Sequence, residues 1–157
     1  MKWVLIVILI VVIMLIAYSV SEQYKEKFDF YFNLKNFLNQ FKLNLNFKQE
    51  KINNFIEKVK SKKQFNIFLD EYKNYLKTNK FNLDKIKILT QQEKNQLEEI
   101  IKNIGQMDLE NEKNQLDTFI FEINKNLEQA QTDKNKLCPM IIKLSLLFAI
   151  GLAIILI

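Results

Sequence analysis

Two long apolar blocks lie at the two ends of this 157-residue sequence. The first runs from Trp3 to Val20 without a charged side chain, and the second runs from Met140 to Ile157 with only Lys143. A helix rises about 1.5 Å per residue, so either block just covers a hydrocarbon core of roughly 30 Å. The pattern predicts membrane helices at residues 1–20 and 138–157, on either side of a helical domain at residues 21–137.

Each block also permits a second interpretation. Lys2 and the small residues around Ala17 resemble a secretory signal peptide, although the apolar run is longer than that of most signals. In the second block, Lys143 fits a span if its long stem carries the ammonium to the headgroups, which makes it a predicted membrane-interface residue. A half-inserted tail is the alternative for that block.

Between the blocks, apolar residues recur at helical spacing. An aromatic stripe from Phe28 to Phe41 predicts the first helix, and it is expected to form core, with a partner-binding groove as the alternative. Residues 28–32 and 43–47 also alternate between apolar and polar side chains as strands do, but no hairpin turn separates them, so helix is preferred. The same spacing predicts a second and a third helix, over Ile52, Phe55, Ile56 and Val59 and over Phe65, Phe68, Leu69, Tyr72, Tyr75 and Leu76.

The fourth helix has clear signals at both ends. Thr90 and Glu93 have the spacing of a capping box, in which each side chain bonds a backbone N–H of the other residue. The apolar stripe of this helix ends at Gly105, a natural left-handed cap, and Asp108 then opens a fifth helix. Ile104, Gly105 and Asp108 are therefore predicted to form the joint that lets the two helices pack together.

The fifth helix is long and amphipathic. Apolar residues keep helical spacing from Leu109 to Leu137, about 43 Å if straight, so the helix is expected to reach the membrane. Pro139 follows, and it is predicted to kink or interrupt the helix at the interface. The fold class is thus all-α, a small bundle of about five helices with a long C-terminal helix, flanked by the two membrane helices.

The lysines predict the orientation in the membrane. They cluster on the inner flanks of the two blocks, and Lys2 is the only one on an outer flank. The positive-inside rule therefore places the middle domain in the cytoplasm and both termini outside.

Composition argues against nucleic acid as a partner and against catalysis. Every basic residue is lysine, whereas nucleic-acid readers depend on arginine, so attraction to anionic headgroups is the better use of this charge. The sequence has no histidine, a single cysteine, Cys138, and no phosphate-binding glycine loop. We therefore expect no enzyme activity, cofactor, metal or small-molecule substrate, and we treat Cys138 as an apolar filler.

The order of these features resembles the stage III sporulation protein AB family. The resemblance is best from Leu97 to Ile157. The family pattern there is a Leu-Gly pair followed, after two residues, by Asp, and it falls on Ile104, Gly105 and Asp108. The sequence departs from the family pattern at Glu112, where a Gln is usual, and before the predicted second helix, where a Gly- or Pro-containing turn is missing.

This resemblance implies a mother-cell membrane protein of the sporulation channel between mother cell and forespore. It further implies a helical domain similar to that of the platform protein in type II secretion and type IV pilus machines. The implied partner is the companion secretion-type ATPase, and self-association into a homo-oligomer stays open. The alternatives are an unrelated double-anchored scaffold of the envelope or division apparatus, and a processed envelope protein held by its C-terminal tail.

Overall fold

The computed structural model describes residues 2–47, 52–59, 63–104 and 108–156, and all regular structure in these ranges is helical. This confirms the all-α prediction. The five helices are α1 Lys2–Phe47, α2 Ile52–Lys58, α3 Lys63–Thr78, α4 Gln91–Asn103 and α5 Leu109–Leu156.

The first and last helices each combine a predicted membrane span with part of the domain. The predicted limits at residues 20 and 137 lie inside α1 and α5. Each predicted span therefore continues, without a break in the helix, into the domain. Helix α5 also continues through Pro139, which corrects the expectation of an interruption there. Proline removes one helical hydrogen bond, and here the carbonyl that loses its partner belongs to Asn135, an exposed residue on the polar side of the apolar block.

Helices α1 and α5 pack antiparallel along their lengths. The Lys42 ammonium lies 2.5 Å from Asp117, and the Lys35 ammonium lies 2.6 Å from the Asn124 side-chain oxygen. Nearer the chain ends, the Cys138 thiol donates to the Ser21 carbonyl over 3.4 Å, and Ser145 Oγ lies 3.9 Å from Met14 Sδ. These contacts are separated by seven residues, or by twice seven, on both helices. That repeat is typical of a left-handed coiled coil.

The antiparallel pair of α1 and α5 is a helical hairpin. Its membrane part buries a narrow stripe of side chains and exposes the others. Small side chains dominate the stripe, which lets the two backbones approach closely; its buried members are Ile6, Ala17, Ser21, Cys138 and Ala149. Only 17% and 11% of the two most apolar windows of α1 and α5 are buried, whereas a core helix of a soluble protein is mostly buried. Both helices are long and apolar enough to cross a membrane.

An aromatic cluster forms the core of the domain. Phe30 of α1 contacts Phe65 and Phe68 of α3 with centroid separations of 5.9 and 5.8 Å. Phe37 lies 5.5 Å from Phe55 of α2, which fastens that short helix to α1. Most of the aromatic stripe on α1 is therefore core, as expected. The exception is Phe32, which is 48% exposed.

The link between α3 and α4 contributes to the core without forming a helix. Helix α3 stops at Asn79, whose left-handed backbone (φ 54°) turns the chain. Leu83, Ile86 and Leu89 then point into the core, and the Ile86 N–H bonds the Leu83 carbonyl over 2.9 Å. Their spacing of three residues is a signal in the sequence for this buried segment, which was not predicted.

The register of the hairpin can be tested with a Ser21→Cys variant. Because residue 21 lies against native Cys138, mild oxidation of the full chain in membranes is expected to form an intramolecular disulfide. The product would migrate faster on a non-reducing gel.

Ser19→Cys is the matched control, since residue 19 is exposed two positions away. Equal cross-linking of the two variants would contradict the register.

Candidate functional site

The candidate functional site is the exposed face of α4, which polar contacts hold on the hairpin. The helix begins with a reciprocal cap. The Thr90 backbone N–H donates to the Glu93 carboxylate over 2.8 Å, and the Glu93 N–H donates to Thr90 Oγ1 over 3.4 Å. Two donors that the helix leaves unpaired are thereby satisfied, so the start of α4 is well defined.

Glu93 also joins α4 to α1. Its carboxylate lies 2.8 Å from the Lys27 ammonium, and both side chains are partly buried. Burial alone would raise the pKa of Glu93, but the Lys27 ammonium and the Thr90 N–H outweigh it and hold that pKa below its usual range. Burial, followed by the negative charge of Glu93, raises the pKa of the neighbouring Tyr31 phenol. The cap residue Glu93 is thus also an inter-helix contact.

A second set of contacts holds α4 against α5. The Gln96 amide donates to Glu122 over 3.1 Å, and the Asn126 amide donates to the Gln96 oxygen over 3.0 Å. Beneath them, Leu97, Ile100 and Ile101 are buried in the core. Helix α4 is therefore attached to both halves of the hairpin.

The opposite face of α4 is polar and open to solvent. A shallow surface depression runs along it, lined by Asn95, Glu98, Glu99, Lys102 and Asn103. A second depression adjoins it at Asn95 and Glu98 and extends to the link before α4. Lys102 bonds Glu98 over 2.7 Å, and this contact raises the pKa of Lys102. The face offers both signs of charge to a partner.

The predicted joint is described on either side of Gly105, which itself lies outside the described residues. Ile104 leaves the helix with extended backbone, and its N–H bonds the Ile100 carbonyl over 3.2 Å. Asp108 precedes α5, where its carbonyl accepts the Glu112 N–H over 2.9 Å. Asp108 also accepts the Asn111 amide over 2.5 Å. The residues on both sides thus end one helix and start the next.

The structure buries two carboxylates for which the sequence predicted neither burial nor a site. Glu71 is buried and pairs with the Lys85 ammonium over 2.6 Å. Glu112 is buried in the first turn of α5, and its charge adds to burial in raising the pKa of Tyr72. The described residues hold no group of three or more candidate metal ligands. Nothing in the local sequence separates these two acids from the exposed ones.

Lys143 lies on the exposed side of α5. The register of the hairpin places it level with Ile16, four residues inside the apolar block. That depth is roughly 6 Å, within the reach of a lysine side chain. Its role at the membrane interface stays a prediction.

A family model described as stage III sporulation protein AB matches residues 2–157. Comparison with curated proteins finds no match, and comparison with solved structures finds none either.

The cap of α4 can be tested with Thr90→Ala. Loss of the side-chain acceptor is expected to cost about 1 kcal/mol and to lower the melting temperature of the full chain in detergent by about 2–4 °C. Helix melting followed by circular dichroism measures this.

The control is Thr118→Ala, because Thr118 lies inside α5 and its hydroxyl donates only to the Asn114 carbonyl. If the two variants have the same melting temperature, the cap does not stabilise α4.

The pKa shift of Glu93 predicts how stability depends on pH. A carboxyl whose folded pKa is depressed adds stability above its unfolded pKa, about 4.3, and loses it as pH falls through the folded value. Glu93→Gln should therefore lower the melting temperature at neutral pH, and the difference from the native chain should shrink below about pH 4.

Glu99→Gln serves as the control, since Glu99 is exposed on the same helix. A difference for Glu93→Gln that persists unchanged at low pH would refute the ionic role of Glu93.

Proposed function

We propose a structural role for this chain, which belongs to the stage III sporulation protein AB family. Together with two helices able to cross a membrane, this membership supports a sporulation-stage membrane protein. The proposed role is that of a membrane-anchored structural component of the channel between mother cell and forespore, similar to a secretion platform. In this proposal the helical domain is cytoplasmic and docks a companion secretion-type ATPase.

The continuous α1–α5 hairpin is the observation that supports this role best. No flexible linker separates the apolar ends from the domain, because both helices run through the predicted boundary. A force applied to the domain would therefore pass along packed helices into the bilayer. Such an anchor suits a part that holds an assembly in place rather than one that transforms a substrate.

The exposed face of α4 is the surface that we propose for ATPase docking. It combines Glu98, Glu99 and Lys102 on one rigid helix, and the opposite side of that helix is fixed to both α1 and α5. Surface charges of this kind favour a specific partner orientation and speed association. The aromatic stripe of α1 is unsuited to the same task, because most of it is buried.

The other two interpretations of the sequence fit less well. The family match argues against the alternative of an unrelated double-anchored scaffold. Removal of the first block as a signal peptide would also strip α5 of its partner in the membrane, since Ala17 is buried in the hairpin. The retained N-terminal helix is therefore part of the proposal, and detection of a mature N-terminus at Val20 would oppose it.

Pull-down of the companion ATPase by the detergent-solubilised full chain tests the proposal. The native chain is expected to retain the ATPase, and Glu98→Lys together with Glu99→Lys should reduce recovery by about tenfold, because reversed charges repel the matching surface. Recovery is measured by immunoblot against the amount of bound chain.

Glu110→Lys together with Glu128→Lys gives the matched control, since both residues are exposed on α5. Failure of the native chain to retain the ATPase would reject the docking role, and an equal loss in the control pair would reject the α4 face.

A further inference from the structure

The end of the domain that faces the membrane lies at a fixed height above the apolar block, measured along α1. Lys27 lies seven residues past Val20, which is roughly 10 Å beyond the apolar block along the helix. The ion pair of Lys27 with Glu93 brings the start of α4 to this height. Helix α4 then runs away from the membrane, because Gln96 contacts Glu122 and Asn126, which lie opposite the next turns of α1.

The end of the link before α4 lies at a similar height, because Lys87, Ile88 and Leu89 immediately precede Thr90. Phe81 packs against Phe68, which in turn contacts Phe30, and Lys85 bonds Glu71 one turn further along α3. The link thus starts beside Asn95 and Glu98 and runs along α4 to the membrane-proximal end of that helix at Thr90. The polar layer of a bilayer is roughly 5–8 Å thick on each face. A lysine side chain at this height can reach it.

Lysines are concentrated in this membrane-proximal tier. Lys87 and Lys136 are exposed. Lys25 lies over the Tyr18 ring with 5.5 Å between ammonium and centroid, a tyrosine–lysine pair typical of a membrane interface. Lys134 adds to the positive charge, so that Lys25, Lys87, Lys134 and Lys136 exceed the acids Glu22, Glu26 and Asp133. The other charged groups here form ion pairs, Glu93 with Lys27, Asp84 with Lys94 and Lys85 with Glu71.

We propose that this tier, comprising the turn at residues 84–90 and the flanking lysines Lys25, Lys87 and Lys136, is a second membrane contact that lies on anionic phospholipid headgroups. The buried Leu83, Ile86 and Leu89 hold the turn in place, so Lys87 approaches the bilayer from a fixed position, whereas Lys85 is bonded to Glu71. The contact sets the tilt of the domain relative to its own spans. It goes beyond the proposed function and does not depend on ATPase docking.

Depth-dependent fluorescence quenching of the full chain in nanodiscs tests the contact. A Lys87→Cys variant in a Cys138→Ala background carries a small fluorophore, and the quencher is a nitroxide on the lipid headgroup. Lys102→Cys is the matched control, because Lys102 is exposed on α4, twelve residues beyond Thr90. Quenching at position 87 should exceed that at position 102 by about twofold or more.

Lipid composition distinguishes a charge contact from mere proximity. Quenching at position 87 should rise when phosphatidylcholine is replaced by a phosphatidylcholine–phosphatidylglycerol mixture. Lys25→Gln together with Lys136→Gln should remove that rise. Equal quenching at positions 87 and 102, or no response to phosphatidylglycerol, would overturn the proposal. If the background substitution lowers helix content, labelling is done with Cys138 retained, because that thiol is buried.

Discussion

The antiparallel packing of α1 against α5 is the constraint on which the rest of the structure depends. These two helices supply the membrane anchor, the longest interface and the surface on which α2, α3 and α4 assemble. Burial of apolar side chains drives this packing outside the membrane, whereas within the bilayer close contact between small residues must do so. The same pair of helices thus satisfies two solvents with two kinds of side chain.

Inside the domain, polar contacts set positions that apolar packing leaves free. Apolar burial is non-directional, whereas the Lys27–Glu93 ion pair and the Gln96 contacts fix where α4 sits along the hairpin. A partly buried ion pair costs desolvation energy, so its larger value lies in specifying one arrangement among several similar ones. For a protein proposed to present a surface, that specificity matters more than added stability.

Local patterns in the sequence predicted most of the helices. The apolar blocks, the helical spacing and the Thr90–Glu93 signature are all encoded within one or two turns, and they could be recognised without a structure. The continuity of α1 and α5 could not, because a boundary between lipid and water changes composition without changing backbone conformation. Proline likewise predicts a break from its own chemistry, yet an exposed carbonyl near the polar boundary makes Pro139 acceptable inside α5. Contacts between distant residues, such as Lys27 with Glu93, leave no local signal at all.

The seven-residue repeat has a consequence for how this chain can vary. Adding or deleting one residue near Val20 would rotate everything beyond it by about 100° around the helix axis. The domain would then turn away from α5, and every later pair would be mismatched. Insertions at the boundary should survive selection only as whole heptads.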